Sequence, residues 1–200
     1  MHIHWGRWAG EGRIYPLMQP LLKETDMTAL LHPSGIGPTH GQLSIFSAPK
    51  SVLTHIQWSL GECLGAPAQL NWKPQSLVPG TWCTSMSWNS NLGAGARIAS
   101  TLRGWHYLNF EVYEAATNGS DGSLFLFTPE LGLFRANVGP HGDIMISEHQ
   151  ISSLMFSRLR QGELACDLEK LLGKPWHEAL EPFRRAQIDG AESSADRISV

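Results

Sequence analysis

GQLSIFSAPKSVLTHIQWSLGECLG, residues 41–65, sets the architecture of the chain. Leu43 and Ile45 alternate with polar neighbours, the period of a strand with one buried face. Ala48-Pro49 ends the alternation, and proline suits a first helical turn, where its missing N–H has no intrahelical partner to lose. From Lys50 onward Val52, Leu53, Ile56, Leu60, Cys63 and Leu64 recur at helical spacing, and Gly65 is a natural stop. The reading is a strand over 42–47 followed by a helix over 50–64.

The same tests applied downstream extend the pattern. Ala68, Leu70 and Trp72 alternate as a second strand closed by Pro74, and Trp82, Thr84, Met86 and Trp88 as a third. Asn89-Ser90-Asn91 offers an N-cap oxygen to a helix over Gly93–Arg103, ended by Gly104. Leu108, Phe110 and Val112 make a fourth strand. The order from 41 to 114 is therefore β-α-β-β-α-β, the split unit whose crossovers lay both helices on one sheet face. Three short strands follow at 124–127, 131–137 and 143–147, after the turn Asn118-Gly119-Ser120-Asp121-Gly122. Helical pattern then runs from Glu148 to about Ala186, broken at Gly162 and at Gly173-Lys174-Pro175. Within it Trp176, Leu180 and Phe183 share one face, which docks on the domain. The predicted class is α+β, a ferredoxin-like βαββαβ core extended by antiparallel strands, with C-terminal helices packed on it.

Composition narrows the function. Of 200 residues 42% are hydrophobic and only 16% charged, with 15 Lys+Arg against 18 Asp+Glu. A net charge of −3 neither gathers phosphate backbones nor coats an anionic membrane surface. No apolar run reaches the ~18 residues of a membrane span, so insertion is not expected. Residues 40–150 carry 12 charges in 111 positions, as a well-buried sheet would, whereas 151–200 carry 15 in 50 and read as surface helices. Residues 1–38 lack periodicity and end in the breaker-rich His32-Pro33-Ser34-Gly35-Ile36-Gly37-Pro38. They are read as a loosely ordered extension and linker, with Met27 as an alternative translation start. A single domain over 39–188 follows, then a frayed tail at 189–200. Cys63, Cys83 and Cys166 are scattered, without disulfide or zinc spacing, and with no signal-peptide pattern they read as thiols of a cytoplasmic protein.

IQWSLGECLG (56–65), LNWKPQ (70–75), GAGARIASTLRGW (93–105), FEVYE (110–114), TPELGLF (128–134), GDIMISE (142–148) and LLGKPWHEALEPFRR (171–185) occur in this order. Together they resemble an actinobacterial family of uncharacterised proteins, domain of unknown function 3145, over roughly 41–186. The resemblance implies no catalytic residue. It implies a connection with type II fatty-acid synthesis, because members tend to be encoded beside those genes.

Among chemically interesting residues, Asn91-Leu92-Gly93-Ala94-Gly95-Ala96-Arg97 stands first. Glycines at a helix start permit close approach, free N–H groups there favour anions, and Arg97 adds a guanidinium. Asn91, Gly93, Gly95 and Arg97 are the candidate anion site, suited to a phosphate-bearing group such as phosphopantetheine; the alternative is that small residues let the helix lie close to the sheet. No GK[ST] follows, and the third glycine of a dinucleotide fingerprint is lacking. His141-Gly142-Asp143 is the acid/base candidate, although turns also collect Asp and His for their hydrogen bonds. Glu111 and Glu114 fall on opposite faces of one strand, which makes them poor partners for two-carboxylate chemistry.

Eight tryptophans suggest core packing first and a ligand pocket or subunit contact second. No basic stripe accompanies them, so nucleic acid is not expected. His2-Ile3-His4 lacks a third ligand, and neither a metal nor a cofactor is expected. The expected function is a non-catalytic binding or regulatory module whose partner is unknown, a second copy of the chain included. The alternative is a small enzyme acting on an acyl or phosphorylated metabolite.

Overall fold

A computed structural model describes residues 37–158 and 164–196; His2-Ile3-His4, Met27 and most of the expected linker lie outside them. The chain runs β1 (Pro38–Pro49), a 3-10 turn (Lys50–Val52), α1 (Leu53–Leu64), β2 (Lys73–Pro74), β3 (Thr81–Asn91), α2 (Ala94–Leu102) and β4 (Asn109–Glu114). It continues through β5 (Gly122–Thr128), β6 (Gly132–Val138), β7 (Ile144–Met145), α3 (Glu148–Arg158), α4 (Leu164–Leu171) and α5 (Lys174–Asp196). The seven strands form one antiparallel sheet in the order β2-β3-β1-β4-β5-β6-β7. The class is α+β.

Alternation along the strands builds two cores. Leu43 and Ile45 of β1, Trp88 of β3, Phe110 and Val112 of β4, and Phe125 and Phe127 of β5 meet Ile56 and Leu60 of α1 and Ile98 and Leu102 of α2. The interleaved residues Phe46, Leu124, Leu126, Phe134, Ala136 and Val138 meet Leu180 of α5, with Trp176 and Phe183 packed alongside. One helical layer therefore covers each sheet face. The expected stripe of α5 docks as read: Trp176 stacks on Phe134 with ring centroids 5.1 Å apart and donates its indole N–H to the Gly132 carbonyl at 2.9 Å. Ordinary alternation after Ile45 puts Phe46 on the α5 side, and a register slip between Ile45 and Ala48 returns Ala48 to the other core.

Three expectations need correction. The strand read at 68–72 forms no ladder; pairing with β3 is confined to Lys73↔Cys83 and Pro74↔Trp82. Ala68, Leu70 and Trp72 do alternate in burial, packing on the first core, and burial is all that such alternation reports. Asn89, Ser90 and Asn91 do not cap α2, because they belong to β3; the N-cap is Gly93, at φ 86°. Last, α5 continues as helix to Asp196, ten residues past the expected end near Ala186.

Gly41 marks the closest approach within the sheet. A Cβ there would run into the Tyr113 carbonyl oxygen and the Trp88 indole. Both obstacles are held, one by the β1–β4 ladder and one by the core. Gly41→Ala is expected to destabilise the domain by about 3 kcal/mol, seen as a lower urea midpoint at unchanged m. An unchanged midpoint would mean that Trp88 does not lie across this glycine.

Candidate functional site

The expected anion site is the N-terminus of α2, and it is already filled from within. Gly93 carries no side chain to cap the helix, so its first N–H groups need another acceptor. The Glu114 carboxylate, on β4, provides it: Gly93 N–H donates to Oε1 at 2.5 Å and Gly95 N–H to Oε2 at 3.1 Å. Glu114 is only 3% exposed. A Cβ on Gly95 would stand 2.8 Å from Oε2, which is why glycine occurs there. Charge-assisted bonds and the positive end of the helix dipole both favour the buried carboxylate. Arg97 is exposed and leans back to the Cys63 carbonyl at 3.5 Å, a cation at the C-terminal end of α1. Asn91 ends β3, paired with Pro38.

The other glutamate of β4 serves the other layer. Glu111 accepts two bonds from Arg184 of α5, at 2.6 and 3.0 Å, with both side chains at most a fifth exposed. Arg184 also donates to the His177 carbonyl at 3.3 Å and lies 3.3 Å from His177 Nδ1. Burial pushes the His177 imidazole below its ordinary pKa. Arg184 pushes the same way, against Glu111 and Glu181.

His141 and Asp143 stand exposed on the turn between β6 and β7. The turn is closed by backbone bonds, Gly139 N–H to Asp143 O at 2.9 Å and Gly142 N–H to Gly139 O at 3.0 Å. Gly142, at φ 88°, supplies the left-handed residue. Turn formation accounts for the composition of this segment. Among the described residues no three His, Cys, Asp or Glu side chains gather to hold a metal ion. No helix among them is long and apolar enough to cross a membrane.

A cleft of about 440 Å³ opens where the ends of β1, β3, β4 and β5 meet α5. Pro49, Val78, Ala179 and Phe183 give it apolar walls, and Tyr107 stands beside them. Ser47, Thr81, Asn109, Thr128 and Glu130 supply polar groups. Thr81 donates its hydroxyl to Val78 O at 2.7 Å, and Thr128 accepts from Leu131 N–H at 3.1 Å. Ser47 is 4% exposed; the fully buried side-chain groups without a partner among the described residues are Trp72 Nε1, Thr84 Oγ1 and Trp88 Nε1, none of them in this cleft. A second, more open cleft runs beside Glu178, Glu181 and Pro182 of α5. Neither cleft is lined by His141, Asp143 or Arg97.

Sequence reading missed the first cleft because its walls come from five separate stretches, and no motif announces them. A family model described as "Protein of unknown function (DUF3145)" matches residues 42–194. The chain belongs to that family. No curated protein and no solved structure matches it.

Glu114→Ala leaves two N–H groups at a buried helix end without their acceptor, and should cost about 3 kcal/mol or more by denaturant unfolding. Glu114→Gln keeps one acceptor oxygen and should cost roughly half as much. Equal stability of all three proteins would show that the carboxylate does not cap α2. His177 gives a pH signature. Its folded pKa lies below the unfolded value of 6.5, so the unfolded chain binds the proton first. Stability is thus expected to be full above about pH 7 and to fall as the pH drops from there toward 5. His177→Gln should flatten the slope; an identical slope in the variant would exclude His177 as its source.

Proposed function

We propose that this chain is a non-catalytic binding module whose ligand occupies the cleft between the sheet end and α5. The observation that carries the reading is the cleft itself, where Val78, Ala179 and Phe183 wall a hollow that Ser47, Asn109 and Thr128 reach from three strand ends. Concave sites with apolar walls and a few placed polar groups are where small molecules bind. The apolar walls suit an alkyl chain, which agrees with the connection to fatty-acid synthesis that resemblance to an actinobacterial family implies; the scattered thiols suit a cytoplasmic protein. The core is read as ferredoxin-like. Its support is the order β2-β3-β1-β4, antiparallel throughout, with α1 and α2 packed together on one face.

The rival readings have less support. An enzyme using His141 and Asp143 would have its acid/base pair on an exposed turn outside both clefts. An external anion at Asn91, Gly93, Gly95 and Arg97 would have to displace the Glu114 carboxylate.

Ala179 is exposed on the cleft wall, so Ala179→Trp fills the hollow from α5 without entering either core. Immobilised wild-type protein should enrich a small apolar molecule from cell extract, identified by mass spectrometry, and Ala179→Trp should lose at least tenfold of it. Equal recovery by the two proteins would rule out the cleft.

A further inference from the structure

The polar groups of the cleft are unequal in what they can still do. Thr81 has given its hydroxyl proton to Val78 O. Thr128 accepts from Leu131 N–H and retains its own proton to donate. Ser47 and Asn109 add a hydroxyl and an amide to the lining, groups that can donate to whatever enters. Donors therefore converge from three strand ends, β1, β4 and β5, on a space walled by Val78 and Phe183. A ligand meeting them must present an acceptor, and a carbonyl oxygen accepts from two such donors at once.

Charge sets the second condition. The lining contains one ionisable carboxylate, Glu130, and no lysine or arginine. A carboxylate or phosphate entering the cleft would lose water to apolar walls with no cation to replace it, beside a like charge. Sites that hold such anions use a guanidinium, an ammonium or free helix N–H groups. The start of α2 lies at the other ends of β3 and β4, with its N–H groups committed to Glu114.

We infer that the cleft selects an uncharged, carbonyl-bearing alkyl compound, such as an amide or ester, and rejects the corresponding free acid. Ser47, Asn109 and Thr128 hold the carbonyl, Phe183 and Val78 hold the chain, and Glu130 excludes anions. This rests on the cleft being the ligand site.

Isothermal titration calorimetry of the full chain with octanamide and with octanoate at pH 7 separates the two claims. Octanamide is expected to bind, and octanoate to bind at least tenfold more weakly. Glu130 is exposed, so Glu130→Gln should leave the fold intact and narrow the gap about three- to tenfold by raising octanoate affinity alone. Octanoate binding as tightly as octanamide would overturn the charge selection and leave the cleft as ligand site. Binding of neither compound would overturn both.

Discussion

A carboxylate buried at the start of α2 is the constraint on which the arrangement of this domain turns. An ionised group taken out of water is costly unless donors replace its solvation, and a helix N-terminus provides donors that otherwise go unmet. Glu114 and the Gly93–Gly95 turn solve each other's problem, and the solution fixes where α2 begins against β4. Glycine at 93 and 95 follows from it, one for the left-handed turn and one for the room the carboxylate needs. Three residues back along the same strand, Glu111 does the equivalent for the opposite layer through Arg184. A strand whose side chains alternate between faces thus holds one helical layer on each side with two residues of the same type.

That double anchoring explains the cleft. With α2 fixed on one face and α5 on the other, the strand ends beneath Ala179 and Phe183 have walls but no plug. Leu180, on the neighbouring face of α5, is completely buried, so the helix is seated firmly where it flanks the opening. The first N–H groups of α2 already bond Glu114, and the proposed ligand site lies in a place with different chemistry.

Much of this was legible in the sequence where local periodicity and tertiary burial agree. The alternation of β4 and of β1 up to Ile45, and the helical spacing of α1 and α5, report faces that are in fact buried. The opposition of Glu111 and Glu114 was legible too, since it needs only the two-residue period. The failures have a common cause in long-range partners. Asn89–Asn91 carry good capping chemistry, but the acceptor that caps α2 lies some twenty positions later on another strand. Arg184 sits off the apolar stripe of α5, and its long side chain still reaches inward to Glu111. Ala68–Trp72 alternates without a strand to pair with. The cleft has no local signature, because its polar groups come from strand ends separated by dozens of residues.

The claim at the centre of this account is that ligand binds at the sheet end while the start of α2 is closed by its own carboxylate. Amide resonances of isotope-labelled protein, followed as octanamide is added, test it most directly. The account predicts shifts at Ser47, Asn109 and Thr128, with Gly93, Gly95 and Arg97 unmoved. Movement of Gly93 and Gly95 with a silent cleft would contradict it.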